Sequence, residues 1–448
     1  MDPSRPSSSS PESEPDAEPE ALSSEEGRAP EQDGDSGPDG QADPDGQARP
    51  DEQIDSQQPD EVRDRYWLHL LLFGLTLAST VYAGGQWVNR VLHYEAQGGT
   101  LSLLFATVPT GWVVDGLRYA IPLLGFLTVH EFGHYFAARR HRVRTSLPYY
   151  IPFPFNGIGN FGAVISIRQA VPSTRKLFDI GVAGPLAGFV VALGALIYGF
   201  ATLPPPEYLL DLPGHEALKT HIQQYGTFPA TPPDPGAGAM VIVVGQTPLF
   251  WLMSQFFAHV PPMYEVYHYP VLFAGWLGLF FTALNLLPVG QLDGGHVLYA
   301  LFGARWHRLC ARAFVFLLLL SGGIGFVQEV QPALYDMGPL WGRSTWLMLA
   351  VIFYGYLYRI FGGQHRYMVV GLVGLLGAVG GAAAVGGALM NYGYTGWLLW
   401  TLLIVFLVRV DHPPVVHEQT LTPRRRVLGW VAIAIFVLCF SIQPISVL

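Results

Sequence analysis

Cysteine is almost missing from this chain: only Cys310 and Cys439 occur in 448 residues, both in or beside apolar stretches. A disulfide framework and a cysteine-based zinc knuckle are thereby excluded. Charge is scarce too. Asp, Glu, Lys and Arg make up 13% of the chain, against ~25% in ordinary soluble domains. The net charge of −9 is confined to one end, because residues 1–62 hold 19 acidic side chains against 3 Arg, leaving 15 acidic and 22 basic side chains beyond them. The rest of the chain is weakly basic and very apolar, with all 11 Trp and all 21 Tyr. Such a composition excludes nucleic acid as the expected partner and points to the lipid bilayer as solvent.

Residues 1–62 are mostly Ser, Pro, Glu, Asp, Gly and Gln. They cannot bury enough surface to offset the entropy of ordering, so a disordered acidic tail is expected there. The start has neither a basic region followed by an apolar one nor an Arg-rich amphipathic helix, so neither a secretory signal nor an organelle transit peptide is expected.

From Tyr66 onward apolar runs of membrane-spanning length recur, at roughly 66–87, 117–139, 173–201, 268–287, 311–327, 345–361, 367–390, 395–409 and 428–446. The expected fold class is therefore an all-α polytopic membrane protein with about nine spans. If the spans alternate from a cytoplasmic residue 65, 18 Lys and Arg fall on the cytoplasmic side and only Arg90, Arg118, Lys219 and Arg343 on the other. That asymmetry predicts a cytoplasmic N-terminus, in a membrane expected to be the bacterial cytoplasmic one.

Two linkers do not read as spans. Residues 145–172 combine prolines, the turn Asn156-Gly157 and a β-branched alternation through Val164-Ile165-Ser166-Ile167, which predicts a membrane-associated β-hairpin. The loop 203–267 is rich in Pro and Gly, and its stretch from Val241 to Phe257 has the makings of an amphipathic surface helix.

Near the cytoplasmic end of the second span stands His130-Glu131-Phe132-Gly133-His134. Imidazoles at i and i+4 share one helix face, so both can ligate one zinc ion while the Glu reaches water at the metal. With 14 His and 16 Glu in 448 residues, composition alone supplies only about 0.016 such patterns per chain. The bland reading is a helix end whose polar side chains snorkel to the interface. Against it, an ionisable side chain at membrane depth costs about 2.5–3.5 kcal/mol and wants a partner. A third protein ligand is then needed. Glu207, Glu216, Glu265 and Glu329 fall on the opposite side of the membrane, whereas Asp293, in Asn285-Leu286-Leu287-Pro288 followed by Leu292-Asp293-Gly294-Gly295-His296, lies at the right depth and side. Pro288 and the Gly pair break the helix there, which lets a carboxylate turn inward; the alternative role for Asp293 is to cap the next helix.

These two motifs, in order and on separate spans, resemble the site-2 protease family of intramembrane zinc metalloproteases, whose signatures are His-Glu-x-x-His and Asn-x-x-Pro followed by Leu-Asp-Gly. Gly184-Pro185-Leu186-Ala187-Gly188 and Gly159-Asn160-Phe161-Gly162 look like further family features, and the resemblance covers about residues 117–305. It implies a three-helix catalytic core at 117–139, 173–201 and 268–287, with His130, His134 and Asp293 holding Zn2+ and Glu131 as catalytic base. No stretch fits the peptide-binding insert or nucleotide-binding tail of some members.

Asn285 is a second catalytic candidate, as donor to a peptide carbonyl or oxyanion, with packing the alternative. Gly184 and Gly188 read as a close-packing face beside the active-site helix. His296 reads as a neighbour of the ligands or an interfacial residue, and His69, His141, His307 and His365 as interfacial. The expected organisation is an acidic tail over 1–62, a first span and external linker over 63–116, a catalytic core over 117–305 and C-terminal spans over 306–448. The expected activity is metalloproteolysis of single-span membrane proteins near the cytoplasmic face. The rivals are a metal or proton-coupled transporter using the same His and Asp residues, against which the adjacent Glu argues, and a non-catalytic scaffold.

Overall fold

The computed structural model describes residues 65–89, 110–212, 215–233, 241–413 and 415–447. The acidic tail and most of the linker after the first span lie outside these residues. Apolar runs become helices wherever they are long enough, because a bilayer leaves the backbone no hydrogen-bond partner but itself. Helices α1 (Tyr66–Asn89), α2 (Thr110–Arg140) and α3 (Thr174–Ala201) come first, with a hairpin of β1 (Tyr149–Phe153) and β2 (Gly159–Val164) between the last two. The loop after α3 carries α4 (Glu216–Tyr225), the short strand β3 (Ile242–Val244) and α5 (Pro248–Ser254). Then follow α6 (Pro270–Asn285), α7 (Asp293–Gly325), α8 (Gln331–Met337), α9 (Pro339–Phe361), α10 (His365–Val385), α11 (Gly396–Leu403), α12 (Pro423–Cys439) and the terminal strand β4 (Ile445–Val447).

A helix covers at least part of each of the nine apolar runs, but seven helical segments among the described residues are long and apolar enough to cross a membrane. The two that fall short are α6, with 16 residues, and α12, with 17 residues and three arginines in its first turn. Boundaries moved as well. The second helix starts seven residues before the expected 117, and the fifth run lies inside a helical segment that begins at Asp293 and continues to Met337. Gly303, at φ 79°, breaks that segment sharply.

Two packed cores result. One gathers Tyr119, Phe126, Phe178, Leu196, Phe250, Leu272 and Trp276 from α2, α3, α5 and α6, and the other gathers Leu319, Leu349, Phe353, Leu375 and Trp397 from α7, α9, α10 and α11. Helix α2 packs most extensively against α3, and α3 in turn against α6.

The expected hairpin is present as an antiparallel pair, Tyr149 facing Val164 and Phe153 facing Gly159, with an irregularity between Tyr150 and Pro152. Helix α1 holds it. The Ser79 hydroxyl donates to the Gly159 carbonyl at 2.6 Å, the Asn160 amide donates to Thr80 Oγ1 at 3.1 Å, and the Trp87 indole donates to the Gly157 carbonyl. Gly159 has φ +91° and lies so close to α1 that a Cβ would come within 2.5 Å of the Thr80 Cα, so only glycine permits this approach.

The stretch from Val241 to Phe257 is not one amphipathic helix. Strand β3 leaves it to pair antiparallel with β4, Ile242 facing Val447, and α5 has only seven residues. Backbone pairing with a distant strand overrides the local helical pattern, and it puts β4 on the same side as the loop after α3.

Candidate active site

Helix α2 delivers His130 and His134 to one face at i and i+4, both buried, at its junction with α3 and α6. Helix α6 ends at Asn285, three residues before Pro288, Leu292 in extended conformation caps α7, and Asp293 is the first helical residue. Asp293 is thus not the cap. Its Oδ2 stands 3.2 Å from His134 Nε2 and 3.5 Å from His130 Nε2, while the two Nε2 atoms are 3.1 Å apart. His130, His134 and Asp293 form one of two groups of metal-ligating side chains brought together among the described residues.

The donor set fits a cation. His134 Nδ1 donates to the Ile180 carbonyl at 2.8 Å, a partner that can only accept. In the neutral ring its Nε2 is then a bare lone pair facing a carboxylate oxygen and a second imidazole nitrogen, an arrangement that repels itself unless positive charge lies between them. The backbone carbonyl also fixes the ring's tautomer and orientation, as metal-ligating histidines require. His130 Nδ1, by contrast, is buried with no hydrogen-bond partner among the described residues. Gly184 provides the room: a Cβ there would come within 2.1 Å of His134 Nε2. A Cβ on Gly188 would press on Phe126 and on His130 Cβ at 2.9 and 3.1 Å, so the small-residue face of α3 is what admits both imidazoles.

Glu131 is buried, with the backbone of Ile165, one residue past β2, close to its carboxylate. The Thr128 and Tyr150 hydroxyls meet at 2.7 Å, tying α2 to β1 less than one turn before His130. Asn285, half-buried at the end of α6, places Nδ2 3.3 Å from His130 Nε2.

Two other histidines depart from the sequence reading. His69 and His307 are buried rather than interfacial, the former through a contact of Nδ1 with the Pro148 carbonyl at 3.0 Å. His141 pairs with Asp179 at 2.9 Å, and Arg425 from α12 grips the same carboxylate with two contacts of 2.7 Å. His296 meets His412 at 2.8 Å, and burial holds the His412 imidazole below its ordinary pKa. The Arg425 and His412 partners come from segments more than 100 residues away, which no local pattern could supply.

Comparison with known proteins bears on this site. Residues 118–324 match the sequence profile of peptidase family M50. The chain is 30% identical over 250 residues to "Probable zinc metalloprotease EGY1, chloroplastic" of Arabidopsis thaliana, covering 53% of this chain and 40% of that protein. The protein of the same name from Oryza sativa subsp. japonica is 30% identical over 200 residues, covering 43% and 29%. "Probable zinc metallopeptidase EGY3, chloroplastic" of Arabidopsis thaliana is 29% identical over 233 residues, covering 51% and 37%. The chain therefore spans two fifths or less of the length of these relatives. No solved structure matches it.

Proposed function

We propose, for a chain whose residues 118–324 place it in peptidase family M50, the site-2 protease family, that it is a zinc metalloendopeptidase of the membrane, cleaving transmembrane segments of single-span proteins. The observation that carries this reading is the convergence of His130, His134 and Asp293 from two separate helices beside a buried carboxylate, Glu131. The three ligands would hold Zn2+, leaving a fourth position open. Zinc in such a site supplies Lewis acidity that makes water a nucleophile near neutral pH. Glu131 takes the proton of the attacking water and returns it to the leaving amine. Asn285, beside His130, is placed to donate to the peptide carbonyl as negative charge develops on it.

A transmembrane helix hides its peptide groups in its own hydrogen bonds, so the substrate must unwind locally before it can be cut. Strand β2 pairs only with β1 among the described residues, and the edge that continues into Ile165 offers backbone groups to an extended substrate beside Glu131. Residues 117–305 are the catalytic core in this reading and 306–448 add helices around it. The asymmetry of Lys and Arg in the sequence supports a cytoplasmic side for the His130 end of α2. The relatives named above are plant chloroplast proteins, so they lend no weight to the bacterial membrane expected from sequence, and their names are those of metallopeptidases rather than transporters.

The test is Glu131→Gln in the full chain, reconstituted with a single-span substrate. Gln keeps the shape but accepts no proton, so zinc content should be unchanged while cleavage falls by about 10²–10⁴. Near-normal cleavage by the zinc-loaded variant would remove Glu131 as the base, and metal flux into vesicles with no cleavage by the wild-type chain would favour transport.

A further inference from the structure

The second group of metal-ligating side chains is His215, Glu265 and His268. It lies at the other end of α6. His215 precedes α4, and Glu265 and His268 bracket the single turn that leads into Pro270. The 16 residues of α6 amount to about 24 Å of helix, so this group is remote from Asn285 and His130. No argument from sequence reached it, because the two histidines are 53 residues apart and Glu265 alone looks like a loop carboxylate.

Its imidazole pair repeats that of the first site. The imidazole centroids are 4.8 Å apart at 73°, against 4.8 Å at 76° for His130 and His134, and the facing Nε2 atoms are 2.9 Å apart against 3.1 Å. His268 Nδ1 donates to the Val88 carbonyl at 2.8 Å, as His134 Nδ1 does to Ile180. His215 Nδ1 lies 3.3 Å from Glu265 Oε1, again an acceptor. Both rings therefore carry their proton on Nδ1 when neutral, and both Nε2 lone pairs face one another.

The carboxylate completes the set. Glu265 is only 2% exposed, its Oε2 points to His268 Nε2 at 3.5 Å, and that oxygen has no hydrogen-bond partner among the described residues. A buried carboxylate oxygen left unpaired is strongly destabilising, so the cluster needs positive charge at its centre. A proton shared between the imidazoles would satisfy their axis alone and leave Oε2 unpaired. A divalent cation satisfies all three groups. His215 is held at φ 62°, a left-handed conformation that a non-glycine residue keeps only where the surroundings enforce it.

We propose that His215, Glu265 and His268 form a second zinc site, separate from the active site, which staples the loop after α3 to the last turn of α1 and to the start of α6. Two imidazoles and one carboxylate favour zinc over calcium or magnesium, which prefer all-oxygen sites.

The experiment is zinc analysis of the full chain purified in detergent, with any affinity tag removed. Wild type should hold two zinc ions per chain, and His130→Ala/His134→Ala should hold one. Adding Glu265→Gln or His268→Gln to that double variant should bring the content to zero. A double variant already free of zinc overturns the proposal, and so does one whose remaining zinc survives Glu265→Gln and His268→Gln. The double variant keeps the second site untouched, so this readout stands even if a change at His215 prevents folding. A wild-type chain with one zinc, kept in the double variant and lost with Glu265→Gln, would sink the active-site assignment while upholding this one.

Discussion

A Cβ on residue 184 would come within 2.1 Å of Nε2 of His134, so the glycine of α3 and the second histidine of α2 occupy what is sterically one position. The Cβ at Gly184 would meet a ring held in place by the Ile180 carbonyl, so neither side can yield cheaply. Gly184→Ala should leave the chain folded but displace the imidazole, lowering zinc occupancy and cleavage together. Gly194→Ala is the control, since a Cβ there meets nothing within 4 Å. Equal zinc content in the two variants would show that His134 need not hold its observed position.

Asp293 is the proposed ligand whose assignment rests most on the tertiary structure. Its carboxylate lies within 3.5 Å of both Nε2 atoms, and its removal leaves two imidazoles of a tridentate set. Asp293→Ala should lose the zinc of this site and all cleavage, with the protein still inserted in the membrane. Unchanged zinc content, measured by elemental analysis, would reopen the search for the third ligand.

The hairpin gives a prediction of another kind. Asn160 is 1% exposed and bridges α1 and β2, donating to Thr80 and accepting from the Gly162 amide at 3.0 Å. Asn160→Ala strands these buried partners, at a cost of about 1–3 kcal/mol. Because Asn160 touches none of the three ligands, zinc should stay while kcat/KM for a transmembrane substrate drops, by an amount that a soluble, already extended peptide should not feel. An equal loss on both substrates would mean that the hairpin does not present the strand.

How far the sequence foretells this site depends on how local each feature is. His130, Glu131 and His134 are readable because helical geometry converts i, i+4 spacing directly into a shared face. Asp293 follows from depth and side, once the spans are laid out, and Gly184 from its small-residue spacing with Gly188. The hairpin is readable from its prolines and its Asn156-Gly157 turn. What the sequence hides is carried by long-range contacts: β3 pairing with β4, His296 meeting His412, and the convergence of His215 with Glu265 and His268. Each joins segments whose own patterns are weak or point elsewhere, as the seven-residue α5 shows inside a stretch that reads as a longer amphipathic helix.

The last prediction concerns Arg425, which contacts none of the ligands. Its guanidinium grips Asp179 through Nε and Nη2 at 2.7 Å each, and His141 approaches the same carboxylate at 2.9 Å. Asp179 immediately precedes Ile180, whose carbonyl orients His134. The fork thus fixes the first turns of α3 against α12, and through one peptide unit it fixes the acceptor that sets the His134 ring. A lysine keeps the charge but cannot make two parallel contacts. Arg425→Lys should therefore weaken zinc retention against a competing chelator, by about 10–100-fold as for other groups that orient a metal ligand. Arg426→Lys, one residue along the same turn, should have no such effect. A merely structural role for Arg425 would lower thermal stability without changing the zinc dissociation rate of the folded protein, and that result would break the proposed chain from Arg425 to His134.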